Sequence, residues 1–119
     1  MTISDQVGAD EVRTGRVVAR VAALATAPVK GLRLQSRDML ELDRLGAVDD
    51  RRFFLINEDD RMVNSRRVRK LSAVVARYDP ERHWLSVTFP DGTTVEGEVE
   101  LAQAVTPRFF ATKLPATIV

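Results

Sequence analysis

The sequence predicts a mainly β fold, one domain of about seven short antiparallel strands, and three observations carry that reading. Runs rich in Val, Thr, Phe and Trp recur along the chain, and branched or aromatic side chains suit a pleated, half-buried surface. The separators Asn57–Asp60, Asp79–Arg82 and Pro90–Thr93 are four residues long and consist of turn formers, a length that fits hairpin loops and not parallel crossovers. A chain of 119 residues is long enough for one core and short for two.

Met1 to Gly15 mix Asp5, Asp10, Glu11 and Arg13 with small residues and read as a flexible polar lead-in to a domain spanning 16–119. They hold no apolar segment resembling a signal peptide, so a cytoplasmic chain is expected. The first strand is predicted over Arg16 to Leu24, where the valines favour a pleat and the alanines would also tolerate a helix. Further strands are predicted over Arg37 to Leu42, Arg52 to Ile56, Arg61 to Ser65, Ala73 to Tyr78, Trp84 to Phe89 and Thr94 to Val99, with consecutive strands pairing. Alternation puts Leu85, Val87 and Phe89 on a core face and Trp84, Ser86 and Thr88 on the other. Glu96, Glu98 and Glu100 recur opposite Val95, Val99 and Leu101, as in a strand with one wet face. A short helix over Glu98 to Ala104 is the alternative reading of that stretch. The chain ends on an apolar run, Phe109 to Val119, which either pairs as a strand or continues into further structure.

Eighteen Lys and Arg balance seventeen Asp and Glu, so general nucleic-acid or membrane-surface binding lacks its electrostatic drive. The longest apolar-rich stretch, Val17 to Val29, is interrupted by Arg20 and Pro28, well short of the roughly 20 residues that span a bilayer. Without cysteine, disulfides, thiolate nucleophiles and iron–sulfur ligation are unavailable. His83 is the only histidine and reads as a turn-edge residue, not a metal ligand. The serines lack a Gly-x-Ser-x-Gly setting, and Asp49-Asp50 and Glu58-Asp59-Asp60 read as turn acids. No glycine-rich phosphate loop occurs, and the few aromatics read as core.

Two basic features remain. In Ala27-Pro28-Val29-Lys30-Gly31 proline and glycine bracket a lysine on a formed turn. Lys30 is either an exposed loop cation or an ammonium presented to a phosphate or carboxylate. Between Arg51 and Lys70 lie seven cations, Arg51, Arg52, Arg61, Arg66, Arg67, Arg69 and Lys70. They form either a solvated face paired with neighbouring acids or, if 52–56 and 61–65 make a hairpin, a fork in which Arg51 and Arg66 share an anion.

The segments Val21 to Gly31, with Pro28-Val29-Lys30-Gly31, then Leu45 to Asn57, with Asp50-Arg51-Arg52-Phe53, then Met62-Val63-Asn64-Ser65-Arg66 resemble the N-terminal β-barrel domain of MOSC (molybdenum cofactor sulfurase C-terminal) proteins over about residues 17 to 115. Ala27 stands where the family has tyrosine, and Asp49 and Asp60 stand at usual glycine positions. The resemblance implies a small antiparallel β-barrel-like domain. In relatives such as the mitochondrial amidoxime-reducing component, the lysine and arginine matching Lys30 and Arg51 help hold the pyranopterin phosphate of the molybdenum cofactor. Gly31 and Arg66 join them as candidate cofactor-binding residues. The MOSC core and its molybdenum-ligating cysteine are absent from this sequence. The resemblance therefore implies an accessory domain, not catalytic alone, of a molybdenum-cofactor-dependent oxidoreductase or a cofactor sulfur-handling protein, partnered by a MOSC core on the same or another chain. The alternative is a free-standing structural or interaction module, homodimeric through its C-terminal apolar run.

Overall fold

The computed structural model describes residues 15–119 and the backbone of Thr2–Ile3; the remainder of the expected lead-in lies outside the described residues. The strands are β1 (Thr2–Ile3), β2 (Leu24–Thr26), β3 (Gln35–Arg37), β4 (Leu40–Asp43), β5 (Gly46–Ala47), β6 (Leu55–Ile56), β7 (Met62–Val63), β8 (Val75–Asp79), β9 (Trp84–Thr88), β10 (Thr94–Glu98), β11 (Ala104–Val105), β12 (Arg108–Phe109), β13 (Thr112–Lys113) and β14 (Ala116–Thr117). The fold is mainly β, but among the described residues it comes as fourteen short pieces and not about seven.

The best-formed unit is the antiparallel meander β8–β9–β10, with Asp79 opposite Trp84 at one hairpin and Thr88 opposite Thr94 at the other. Its turns are set by side chains. Asp79 Oδ1 accepts from the Glu81 and Arg82 amides at 3.0 and 3.3 Å, and Asp91 Oδ1 accepts from the Thr93 amide at 2.8 Å, the local bonding that favours Asp in turns. The Thr93 amide also holds the Asp91 carboxyl below its ordinary pKa. β6 and β7 form the expected hairpin in shortened form, Leu55 opposite Val63. Asn57 closes it by accepting from the Asp59 and Arg61 amides, each at 3.0 Å.

Several expectations are corrected. Arg16 to Ala23 forms no strand and only Leu24 belongs to one; Val17, Val18 and Val21 are 57–90% exposed, so its branched side chains have no facing layer to reward a ladder. The 37–42 strand breaks at Asp38-Met39 into β3 and β4, and these join different neighbours. Glu98 to Ala104 is not helical; the helical segment among the described residues is the 3-10 turn Arg69–Ala73. The terminal run does pair, β14 against β11, with Ile118 donating to the Gln103 carbonyl at 2.8 Å. Consecutive antiparallel pairing is present, but no sheet among the described residues closes into a barrel. Strands of two to five residues leave too little ladder to carry one sheet into the next.

The core is small. Val29, Leu32, Val74 and Ala76 are buried, with Phe53, Leu71, Leu85 and Val87 packed against them, and the large apolar members of such a set stabilise by roughly 1.5–3 kcal/mol each when fully buried. Leu85 and Val87 face inward as their alternation requires, while Phe89 is 40% exposed at the strand's end. On β10 the glutamate face is wet, but Val95 and Leu101 are exposed too, because β10 is the outer strand of its sheet and no layer of the described chain covers it.

Candidate functional site

The bend 27–31, the strand entry 50–53 and the turn 64–66 meet in space through backbone contacts. Arg51 N donates to the Ala27 carbonyl at 2.6 Å, Phe53 N to Pro28 at 2.9 Å and Lys30 N to Phe53 at 2.8 Å, forming a parallel bridge between Val29 and Phe53. The Asp50 carboxylate braces the joint: one oxygen accepts from the buried Ala27 amide at 2.9 Å, the other pairs with the Arg51 guanidinium. Gly31, at φ 86, closes the third side. A β-carbon there would stand 3.0 Å from Asn64 Cα and 3.2 Å from Ser65 N, so only glycine permits both the bend and the close approach.

Arg51 itself has φ 50, a left-handed conformation that costs a non-glycine residue about 1–2 kcal/mol. Such strain persists where surrounding structure over-determines it, and functional sites collect it. Its backbone bond to Ala27 and its ion pair with Asp50 supply that constraint here. Between these segments lies a cleft of about 430 Å³ walled by Arg51, Gly31, Arg33, Ser65 and Ser72 with Ala27, Leu32 and Leu34.

Of the residues singled out from sequence, Arg51 and Gly31 line this cleft. The Lys30 ammonium packs over the rings of Phe109 and Phe110, 5.7 and 5.8 Å from their centres, a cation–π arrangement, and does not wall the cleft. Arg66 sits on the adjoining turn, its amide donating to Asn64 Oδ1 at 3.0 Å, with an exposed side chain. Two members of the basic band pair with acids, Arg51 with Asp50 and Arg52 with Asp49 at 2.8 Å, as a solvated face would. Arg52 also stacks over Tyr78 at 5.1 Å. His83 occupies a turn at φ 49, its Nδ1 3.4 Å from the Tyr78 hydroxyl. Sequence reading missed Arg33, Ser65 and Ser72 as cleft residues. The signal available for Arg33 was its place two residues beyond Gly31, and for Ser65 its place before Arg66 in the third motif; nothing marked Ser72.

The donors suit a tetrahedral anion. Guanidinium groups and unengaged amides bind phosphate by charge-assisted hydrogen bonds, and the Gly31 amide makes no hydrogen bond among the described residues. Residues 18–118 match the family model of the MOSC N-terminal beta barrel domain. The chain belongs to that family. No curated protein and no solved structure matches the chain. A MOSC N-terminal domain is an accessory domain of MOSC-type proteins and typically accompanies a MOSC core. In this MOSC N-terminal domain, Asp49 and Asp60, for which the resemblance implied glycine positions, both take left-handed backbone angles, φ 60 and φ 55. The turns thus keep a glycine-like shape with aspartate, which tolerates it better than most residues.

A second cavity, about 550 Å³ and mainly apolar, shares Leu32 with the first and is bounded by Val29, Phe53, Leu85, Val87 and Ile118. It adjoins the core, and Arg52 is the charged residue on its wall.

Proposed function

We propose that this domain helps a MOSC core bind and orient the molybdenum cofactor, or an anion of the same chemistry, by holding its pyranopterin phosphate at the joint of the three motif segments. One observation supports the reading above the others. Two segments about twenty residues apart in sequence are tied by backbone bonds, and the turn about ten residues further on packs against Gly31, so that one cleft forms with a strained arginine on its wall. Arg51 grips the phosphate, the Gly31 bend brings backbone donors close, Arg66 reaches from the adjoining turn, and Lys30 adds charge from the far side of the same bend. Redox or sulfur-transfer chemistry belongs to the bound cofactor and to the MOSC core, on this chain or another, in the cytoplasm.

The test is a titration of the chain with inorganic phosphate, followed by amide NMR, against Arg51→Gly. Glycine relieves the left-handed strain and removes the guanidinium, so the variant should melt within about 4 °C of the parent or above it. Its phosphate affinity should fall about 10-fold or more, the weight of one charge-assisted bond. Equal binding by the two proteins contradicts the reading.

A second reading is favoured by one observation. Phe110, Leu114, Ile118 and Val119 are 37–61% exposed, a surface through which two copies could join as an interaction module. Light scattering that gives a monomer at micromolar concentration excludes that homodimer.

A further inference from the structure

We infer that Arg33 and Ser65 complete the cleft as a site for a doubly charged phosphate monoester, discriminating against singly charged phosphodiesters and carboxylates. The inference rests on the anion-binding reading of the cleft and names two residues that reading does not contain.

Arg33 follows the Gly31 bend. Leu32 is buried at 7% exposure and anchors the segment in the core, and the Arg33 amide donates to the Val74 carbonyl at 2.9 Å. The backbone is therefore fixed on both sides of the residue. Its guanidinium makes no ion pair or hydrogen bond among the described residues, yet it walls the same cleft as Arg51. Arg51 is partly neutralised by Asp50, so a site with Arg51 alone carries little net charge. Arg33 supplies the uncompensated positive charge that a second negative charge on the ligand requires.

Ser65 enters from the turn stacked on Gly31. It is half-buried, and neither its amide nor its hydroxyl has a partner among the described residues. Both are donors, and a half-buried donor without a partner is stabilised by an acceptor brought to it. Ser72 differs: its hydroxyl donates to the Arg69 carbonyl at 2.8 Å, so it shapes the wall without offering its proton. Two guanidinium groups with the Gly31 and Ser65 donors match the several oxygens of a terminal phosphate. A carboxylate has two oxygens and one charge, and leaves some of these donors unmet.

The experiment compares methyl phosphate, dimethyl phosphate and acetate, titrated at pH 8 into the chain and into Arg33→Gln, Ser65→Ala and Arg51→Gly, with amide shifts giving affinities and melting curves confirming the fold. The parent should prefer methyl phosphate over dimethyl phosphate by about 10-fold or more. Arg33→Gln should bring that preference below about 3-fold while changing dimethyl phosphate binding little, and Ser65→Ala should weaken methyl phosphate about 3- to 10-fold. If Arg51→Gly loses binding while Arg33→Gln keeps the parent's preference, the inference fails and the anion site stands. If the parent binds none of the three, or Arg51→Gly binds like the parent, the anion-site reading falls and this inference with it. Arg33→Lys keeps the charge and should keep the preference for the monoester, and if Arg33→Gln melts early, Arg33→Met takes its place with the same expected loss of preference.

Discussion

At the scale of single residues, Gly31 shows most directly how sequence becomes geometry. Its φ of 86 and the 3.0 Å approach to Asn64 Cα leave no room for a side chain, and the obstructing atom is backbone. Gly31→Ala combines left-handed strain with overpacking, and should destabilise the domain by about 2–4 kcal/mol, read as a drop in the urea midpoint with an unchanged slope. A shift below about 0.5 kcal/mol would mean that the bend and the Asn64–Ser65 turn are not in contact. Sequence made Gly31 a candidate through its place after Pro28-Val29-Lys30, and Arg51 through its place in Asp50-Arg51-Arg52. The left-handed angle of Arg51 was not legible, because residue type alone points away from it.

At the scale of elements, the bend and the strand entry depend on Asp50. Its carboxylate accepts from the Ala27 amide at 2.9 Å, and Ala27 is 2% exposed, so the donor has no ready substitute in water. Asp50→Ala strands that amide and frees Arg51, and should cost about 1–3 kcal/mol in thermal or chemical unfolding. Asp50→Asn keeps an acceptor for the amide and should recover most of the stability. If Asp50→Ala were as stable as the parent, the brace would not exist. Elements with strict alternation and side-chain-closed turns, β8, β9 and β10, lie within two residues of their expected positions. Arg16 to Ala23 does not become a strand, because branched residues favour a pleat only where a partner ladder and a facing layer exist; this segment has neither in the described chain. Lys30 presents a similar limit: its bend was legible, but the two phenylalanines beneath its ammonium come from the far end of the sequence.

For the whole molecule, seven buried apolar residues, Pro107 among them, stand against sixteen large exposed ones among those described. Such an imbalance favours a surface that associates over one that stays bare, in keeping with an accessory domain that works beside a larger core. It also predicts an uneven stability map. Amides of 17–23, which make no hydrogen bonds among the described residues, should exchange with deuterium at close to unstructured rates, while those paired within the β8–β9 ladder should be the slowest. Strong protection of 17–23 in the chain by itself would contradict the described fold. The mainly β class was legible in the branched and aromatic runs and the four-residue turns between them, and the family in three motifs in order. The absence of barrel closure was not, since closure depends on ladder length and on which sheets join.

The most direct test of the central claim, that three separated segments assemble one anion-binding cleft, is a map of backbone amide shifts as inorganic phosphate is added to the isotope-labelled chain. Shifts concentrated at Gly31 to Arg33, Arg51 to Phe53 and Ser65 to Arg66, saturating with one shared dissociation constant, are the predicted result. Shifts confined to the exposed cations of 67–70, or appearing at the three segments with unrelated constants, would contradict the account.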